Sequence, residues 1–214
     1  MAIHIRRREF IATVGGAATW TVAARGQQTN NLATIGFLGS GTPATQGQRH
    51  VSFVQRLREL GWIDGSTIAI EYRWAEGRGE RFAEIAAEFV RLKVNAIVVS
   101  GTPAIIAAKQ ATSLIPIVFV GAGDPVGTGL VASLSRPGGN ITGLSSQAPD
   151  TLGKRIELLR ELVPSLRRLA IMINSDNPVA ILEMREVQAA ARTIGLQVET
   201  LEIRREAQTR DYFF

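Results

Sequence analysis

The sequence predicts an α/β protein: a parallel sheet with helices on both faces, followed by the opening of a second α/β unit. Two observations predict it. Short apolar runs alternate regularly with stretches in which apolar residues recur every three or four positions, the signature of strands feeding helices in a parallel sheet. The dipeptides Thr42-Pro43, Thr102-Pro103, Asp124-Pro125 and Asn177-Pro178 each fall just after a run and just before a helical stretch. Thr, Asp and Asn cap helices well, and Pro suits the first helical position.

Taken in order, Thr34–Leu38 reads as the first strand, and Val51, Val54, Leu57 and Leu60 recur at helical spacing until Gly61 ends the helix. Thr67–Arg73 alternates as a strand, and Phe82, Ile85, Ala86 and Phe89 form the next helical face. Asn95–Val99 reads as a buried strand with a helix near Pro103–Ala111. Pro116–Val120 reads as another, with a short helix near Val126–Leu134. Arg136-Pro-Gly-Gly-Asn140 is a turn, and Ile141–Leu144 is a fifth strand. A helix over 151–163 carries Leu152, Ile156, Leu159 and Val163 on one side. Strand Leu169–Asn174, helix Val179–Ile194 and strand Gln197–Ile203 then begin the second unit.

The four Xaa-Pro pairs place helix starts at the carboxyl ends of strands, the edge where open parallel sheets bind ligands. Helix N-termini there present unpaired N–H groups and partial positive charge, which suit a carboxylate or other anion. Any one pair alone is ordinary helix punctuation. The set carries more, because three lie in the first unit and one in the second, as a shared cleft requires.

Composition excludes several classes. The chain has 214 residues, 45% of them hydrophobic and 20% charged, enough for one large domain or for one lobe plus part of another and too apolar for disorder. The net charge of +5 owes much to Arg6, Arg7, Arg8 and Arg25 at the N-terminus. The remaining basic residues are scattered without an aromatic-rich stripe, so no nucleic-acid partner is expected. Without a cysteine there is no disulfide, thiolate metal site, cysteine nucleophile or lipid-anchored cleavage site. With only His4 and His50, a histidine metal site or a Ser-His-Asp triad has almost nothing to stand on. No metal, cofactor or catalytic residue is expected.

Residues 1–26 read as an export address. Arg6-Arg-Arg-Glu-Phe-Ile11 precedes a moderately apolar run to Ala24, and Ala24-Arg25-Gly26 is a small-x-small cleavage pattern before Gln27. The paired arginines resemble a twin-arginine signal. The alternative is an amphipathic helix or anchor, but the run is short and polar for a membrane span. The expectation is a periplasmic protein cut near Gly26/Gln27, with no lipid anchor.

Other motifs mislead. Gly39-Ser-Gly41-Thr-Pro-Ala44 fits a dinucleotide fingerprint, but Pro43 interrupts the turn and the acidic Glu71 comes too late. No phosphate loop and no nucleophile elbow occurs. Tyr72 and Trp74 read as core or rim, and Glu161, Glu183 and Glu186 as solvated partners of nearby arginines.

Several segments resemble one family. They are the leader Arg6–Ile11, Ile35-Gly-Phe-Leu38, Ile70-Glu-Tyr-Arg-Trp-Ala-Glu-Gly77, Ile117–Val120 with Gly123-Asp-Pro-Val126, Leu134–Gly143 and Lys154–Pro164. As a set they resemble the ABC transporter substrate-binding family that includes tryptophan/tyrosine-type binding proteins. The resemblance implies a type I periplasmic-binding-protein fold: a Rossmann-like first lobe over 33–144, a hinge over 145–149 and a second lobe over 150–214. It implies a small organic solute, amino acids among the candidates, a permease partner in the inner membrane, and closure of the lobes as the transport signal.

Carried over by position, Ser40, Gly41 and Thr42 belong to the first-strand loop of the ligand site. Gly101 and Thr102 belong to the third-strand loop, where a carboxylate meets N–H groups. Gly123 and Asp124 belong to the fourth-strand loop, with Asp124 facing an ammonium, and Asn174 and Asn177 belong to the second lobe. Members of the family run on well past this length, so the second lobe reads as incomplete. The competing readings are an enzyme on a Rossmann-like sheet, a ligand sensor, and a truncated, non-functional product of a binding-protein gene.

Overall fold

The computed structural model describes residues 32–147 and 149–203. The expected export address over 1–26 therefore lies outside the described residues. The element order is β1 (Ala33–Gly39), α1 (Pro43–Glu59), β2 (Ile68–Trp74), α2 (Arg81–Leu92), β3 (Ala96–Ser100), α3 (Thr102–Ala111), β4 (Ile117–Ala122) and β5 (Ile141–Ser145). A short 3-10 turn (Pro149–Thr151) leads into α4 (Leu152–Leu162), β6 (Arg168–Asn174), α5 (Pro178–Thr193) and β7 (Gln197–Ile203). The first five strands form one sheet in the order β2-β1-β3-β4-β5, all parallel. The last two form a separate parallel pair. The α/β class with one parallel-sheet lobe and a smaller second α/β unit is what the alternation predicts.

One face of the large sheet is sealed. Leu38, Ile97, Val99, Ile117, Phe119 and Ile141 meet Ile85 and Phe89 of α2 and Ala104, Ile105 and Ala108 of α3. The sequence builds this face simply. In α2, Ile85, Ala86 and Phe89 fall on one stripe, and Lys93 ends the helix in the left-handed conformation. Gly36 of β1 leaves room for the Phe89 ring, since a Cβ there would sit 2.8 Å from it.

The opposite face is covered over β1, β2 and the middle of β3, where Val98 is buried. There α1 lays His50 and Phe53 on Phe37, with Tyr72 and Trp74 beside them. The phase of α1 differs from the expected one. Val51 is exposed, no residue of α1 is fully buried, and the inward residues are His50, Phe53, Val54 and Leu57. Aromatic packing on Phe37 turns the helix about one position away from the aliphatic stripe. Farther along this face Val118 is 40%, Val120 47% and Leu144 69% exposed. β4 is thus buried on one face only, not on both as its continuous apolar run suggested.

The expected helix near Val126–Leu134 does not form. Residues 125–129 are successive turns, and Gly129 has φ +70°, which breaks the helical path. The second sheet packs Leu169, Ile171 and Val198 against Ile156 of α4, Val187 and Ala191 of α5 and Ile194 at its C-terminal cap. Among the described residues no helix is long and apolar enough to cross a membrane.

Candidate functional site

The carboxyl ends of β1, β3 and β4 are neighbours in the sheet, so the loops carrying Ser40–Thr42, Gly101–Thr102 and Gly123–Asp124 line one edge. In the first loop Thr42 caps α1. Its hydroxyl accepts from the Thr45 N–H at 3.3 Å, and its own N–H donates to the Thr45 hydroxyl at 3.0 Å, a reciprocal capping box. Ser40 Oγ accepts from Gln46 Nε2 at 2.9 Å. The carbonyls of Ser40 and Gly41 accept from the N–H groups of Gly77 and Glu76.

The glycines of this loop serve packing. A Cβ on Gly39 would lie 2.3 Å from the Trp74 ring, and one on Gly41 would lie 2.6 Å from the Thr45 hydroxyl. That arrangement does not leave a bare glycine cradle for a pyrophosphate, and it disposes of the dinucleotide motif.

In the third-strand loop the cap of α3 is Gly101, at φ +85°, and not Thr102. Thr102 lies inside the first turn, buried, and its hydroxyl accepts from the Gly123 N–H at 3.3 Å. The side chain that capping statistics assigned to its own helix instead ties this loop to the next one.

Asp124 opens the turns after β4. Its Oδ1 accepts from the Gly127 N–H at 2.8 Å, and its carbonyl accepts from the Thr128 N–H and hydroxyl. Its Oδ2 makes no hydrogen bond among the described residues, and a Cβ on Gly127 would fall 2.1 Å from that oxygen. So Asp124-Pro125 starts a turn, not a helix, and holds a half-buried carboxylate at the edge.

On the second-sheet side, Asn177 caps α5 by accepting from the Val179 N–H at 3.2 Å. Asn174, exposed at the end of β6, accepts from the Asp176 N–H at 3.0 Å. Between them the Ser175 hydroxyl is shielded and has no hydrogen-bond partner among the described residues.

The two sides meet. A Cβ on Gly123 would lie 2.4 Å from a methyl of Val179, so the first turn of α5 rests on the loop after β4. Thr102, Gly123 and the start of α5 therefore come together. Ser40–Thr42 stands two strands away from Gly123, and Asn174 is linked to Asn177 through a backbone hydrogen bond of 3.0 Å.

Two contributors were not singled out from the sequence, Val179 and Lys109. Lys109 Nζ donates to the carbonyls of Gly129 and Leu130 at 2.8 and 2.9 Å. A signal existed, because Lys109 is the one charged residue in the otherwise Ala- and Ile-rich α3.

A surface depression of about 390 Å³ lies elsewhere, lined by Arg168, Ala170, Gln197 and Glu199 at the amino ends of β6 and β7. It is at the wrong end of that sheet to belong to this edge. Glu161, Glu183 and Glu186 form no ion pair among the described residues. The half-buried pairs of Arg73 with Glu71 and Glu88 are the notable ones.

Comparison with known proteins bears on the fold and the family. A tyrosine-binding protein from Clostridioides difficile (strain R20291) is 35% identical over 146 residues, covering 68% of this chain and 42% of that protein. A conserved domain protein from Vibrio cholerae superposes with a TM-score of 0.77 at 27% identity, covering 85% of this chain and 60% of that one. An ABC domain from Streptococcus pneumonia in complex with L-Trp superposes with a TM-score of 0.72 at 26% identity, covering 81% and 58%. The chain thus spans well under two thirds of the length of these relatives. The fold is of the type I periplasmic-binding-protein class. The model of the ABC transporter substrate binding protein family, a family of binding proteins and not of enzymes, matches residues 45–210, so this chain belongs to that family.

Proposed function

We propose that this chain is the exported solute-binding component of an ABC uptake system, and that its solute is an amino acid held where the carboxyl edges of the two sheets meet. The observation that carries the reading is the Asp124 carboxylate. It is fixed by one oxygen on the Gly127 N–H, keeps its other oxygen without a partner among the described residues, and sits one residue from the contact that joins α3 and α5. A carboxylate beside several helix starts suits a zwitterion, with donors for the acid group and an acceptor for the amine.

In this reading Gly101 and Thr102 receive the solute carboxylate through their loop, and Ser40, Gly41 and Thr42 line the site from the first-strand loop. Gly123 and Asp124 face the ammonium, and Asn174 and Asn177 close from the other side with their Nδ2 donors. Two similar proteins support the solute class: one is a tyrosine-binding protein, and the other is recorded in complex with L-Trp. The first lobe runs over 33–144, the hinge over 145–149, and 150–214 is the start of the second lobe. Closure about the hinge is what the membrane permease reads, and the leader over 1–26 delivers the protein to the periplasm.

The test takes the protein from a periplasmic extract, where its mass should correspond to a chain starting near Gln27, and titrates it with L-tyrosine and L-tryptophan by calorimetry. Asp124→Ala should weaken amino-acid binding roughly 10- to 100-fold, the loss of one charge-assisted hydrogen bond. It should leave the affinity for the corresponding acids lacking the amine unchanged. Equal affinity of wild type and Asp124→Ala for both amino acids rejects the assigned role.

A further inference from the structure

We propose that Lys109 is a positioning residue for the solute site, acting through the loop that carries Asp124. The inference rests on the reading that Asp124 receives the solute ammonium. Residues 125–129 form consecutive turns. The Gly127 N–H at the start is taken by Asp124 Oδ1. The carbonyls at the end, on Gly129 and Leu130, are taken by Lys109 Nζ at 2.8 and 2.9 Å. A carboxylate therefore closes the amino end of the turns and an ammonium closes the carboxyl end. Inside the loop, Gly129 N–H donates to the Val126 carbonyl at 2.9 Å and Val131 N–H to the Pro125 carbonyl at 3.0 Å. Leu130 and Val131 are buried in the main core.

Without Lys109 the carbonyls of Gly129 and Leu130 lose their protein partner, and the end of the turns is left to the Gly129 and Val131 N–H bonds and the apolar anchors. The backbone of residues 124–128 then loses the tie at the far end of the turns and is held less firmly by its own hydrogen bonds. The carboxylate is tied to the turns through Oδ1, which accepts from the Gly127 N–H at 2.8 Å, so its direction follows their backbone. Lys109, on α3 and away from the edge, sets that backbone from behind. Its contribution to binding is pre-organisation: the solute meets a carboxylate already in place and does not have to order the loop itself.

The experiment uses the full chain and L-tryptophan as the probe, titrated into wild type, Lys109→Met, Lys109→Arg, Asp124→Asn and the Lys109→Met/Asp124→Asn double variant. Circular dichroism confirms that each is folded. Lys109→Met should weaken binding about tenfold by loosening the loop, and Lys109→Arg, which keeps two donors, should recover most of it. In the double variant the loss should be no greater than in Asp124→Asn alone, within about twofold, because both changes act on one group. A Lys109 that merely stabilised the fold would add its loss to that of Asp124→Asn, and additive losses overturn the proposal. Wild-type affinity in Lys109→Met together with weakened binding in Asp124→Asn overturns it while the assigned role of Asp124 stands. No loss in Asp124→Asn removes that role and this proposal with it. A second readout needs no solute: in the free protein, hydrogen exchange at the Gly127 amide should speed up in Lys109→Met and stay slow in Lys109→Arg. Unchanged exchange in Lys109→Met overturns the proposal.

Discussion

The two sheets of this chain are built on the same strand–helix plan and stand on very different cores. In the large sheet, β3 is buried along its middle three residues, and Leu38, Phe89, Ile97, Ile105 and Ile117 are all fully enclosed. In the small one, β6 alternates between half-buried and exposed along its whole length, and the enclosed residues are Ile156, Val187, Ala191 and Leu196. One sheet has helices on both faces, though one face is only part-covered. The other has α4 and α5 on a single face and an open opposite face at Ala170 and Met172. Since burial of apolar area is the main source of stability, the first sheet should hold the fold and the second should follow it.

The sharpest way to break that comparison is a matched pair of truncations. Phe89→Ala removes a fully enclosed ring from the large core and should cost about 3–5 kcal/mol, enough to lower the global transition seen by chemical denaturation. Leu196→Ala should cost about 2–3 kcal/mol, and its effect should stay local. Amide exchange should accelerate in β6 and β7 and remain slow in β1 and β3. If Leu196→Ala opened β3 as much as β7, the two cores would form one cooperative unit and the comparison would fail.

The next largest effect tests the junction between them. Gly123→Ala puts a methyl where a methyl of Val179 already lies, 2.4 Å away, and should cost about 1–3 kcal/mol by overpacking. Val179→Ala in the same chain should return most of that loss, because it removes the colliding group. Thermal unfolding of the two single variants and the double variant measures the coupling. Independent effects would mean that α5 moves aside freely, and that the contact does not hold the two units together.

The same contrast marks how much was legible in the sequence. The seven strands, five of the helices and the parallel order follow from alternation and from Pro at helix starts, because those signals are local. Tertiary contacts decided the rest. Val51 was assigned inward by an aliphatic stripe, yet the Phe37 ring draws His50 and Phe53 in its place. Val118 and Val120 were assigned to a buried strand, since an apolar run does not reveal which face a neighbouring helix covers. Asp124-Pro125 gave a helix start, but Gly127 and Gly129 let the chain turn, and Lys109 from another element satisfies its carbonyls. Thr102 looked like a cap and proved to be a tie to Gly123. At the edge, sequence located the loops. It did not locate the ties of Thr102 to Gly123 and of Lys109 to Gly129 and Leu130, since those join residues 20 or more positions apart.

The smallest expected effect lies on the part-covered face, and it is a dependence on pH. Burial, and then the charge and hydrogen bond of Asp64, push the Tyr72 hydroxyl up to about 12. The hydroxyl donates to Asp64 Oδ2 at 3.5 Å, and the ring packs edge-on to His50 at 4.6 Å. An unfolded tyrosine ionises near 10. Below that pH both states keep the proton and Tyr72 contributes no slope. Between 10 and about 12 the unfolded chain releases its proton first, so stability falls as pH rises through this window. Tyr72→Phe should remove that part of the slope and leave the sealed face untouched. Denaturation midpoints of wild type and Tyr72→Phe, measured at pH 9 and again near 11, should draw closer together or cross at the higher pH. A constant gap would mean that α1 admits solvent to the ring, and that this face is even less closed than its partner.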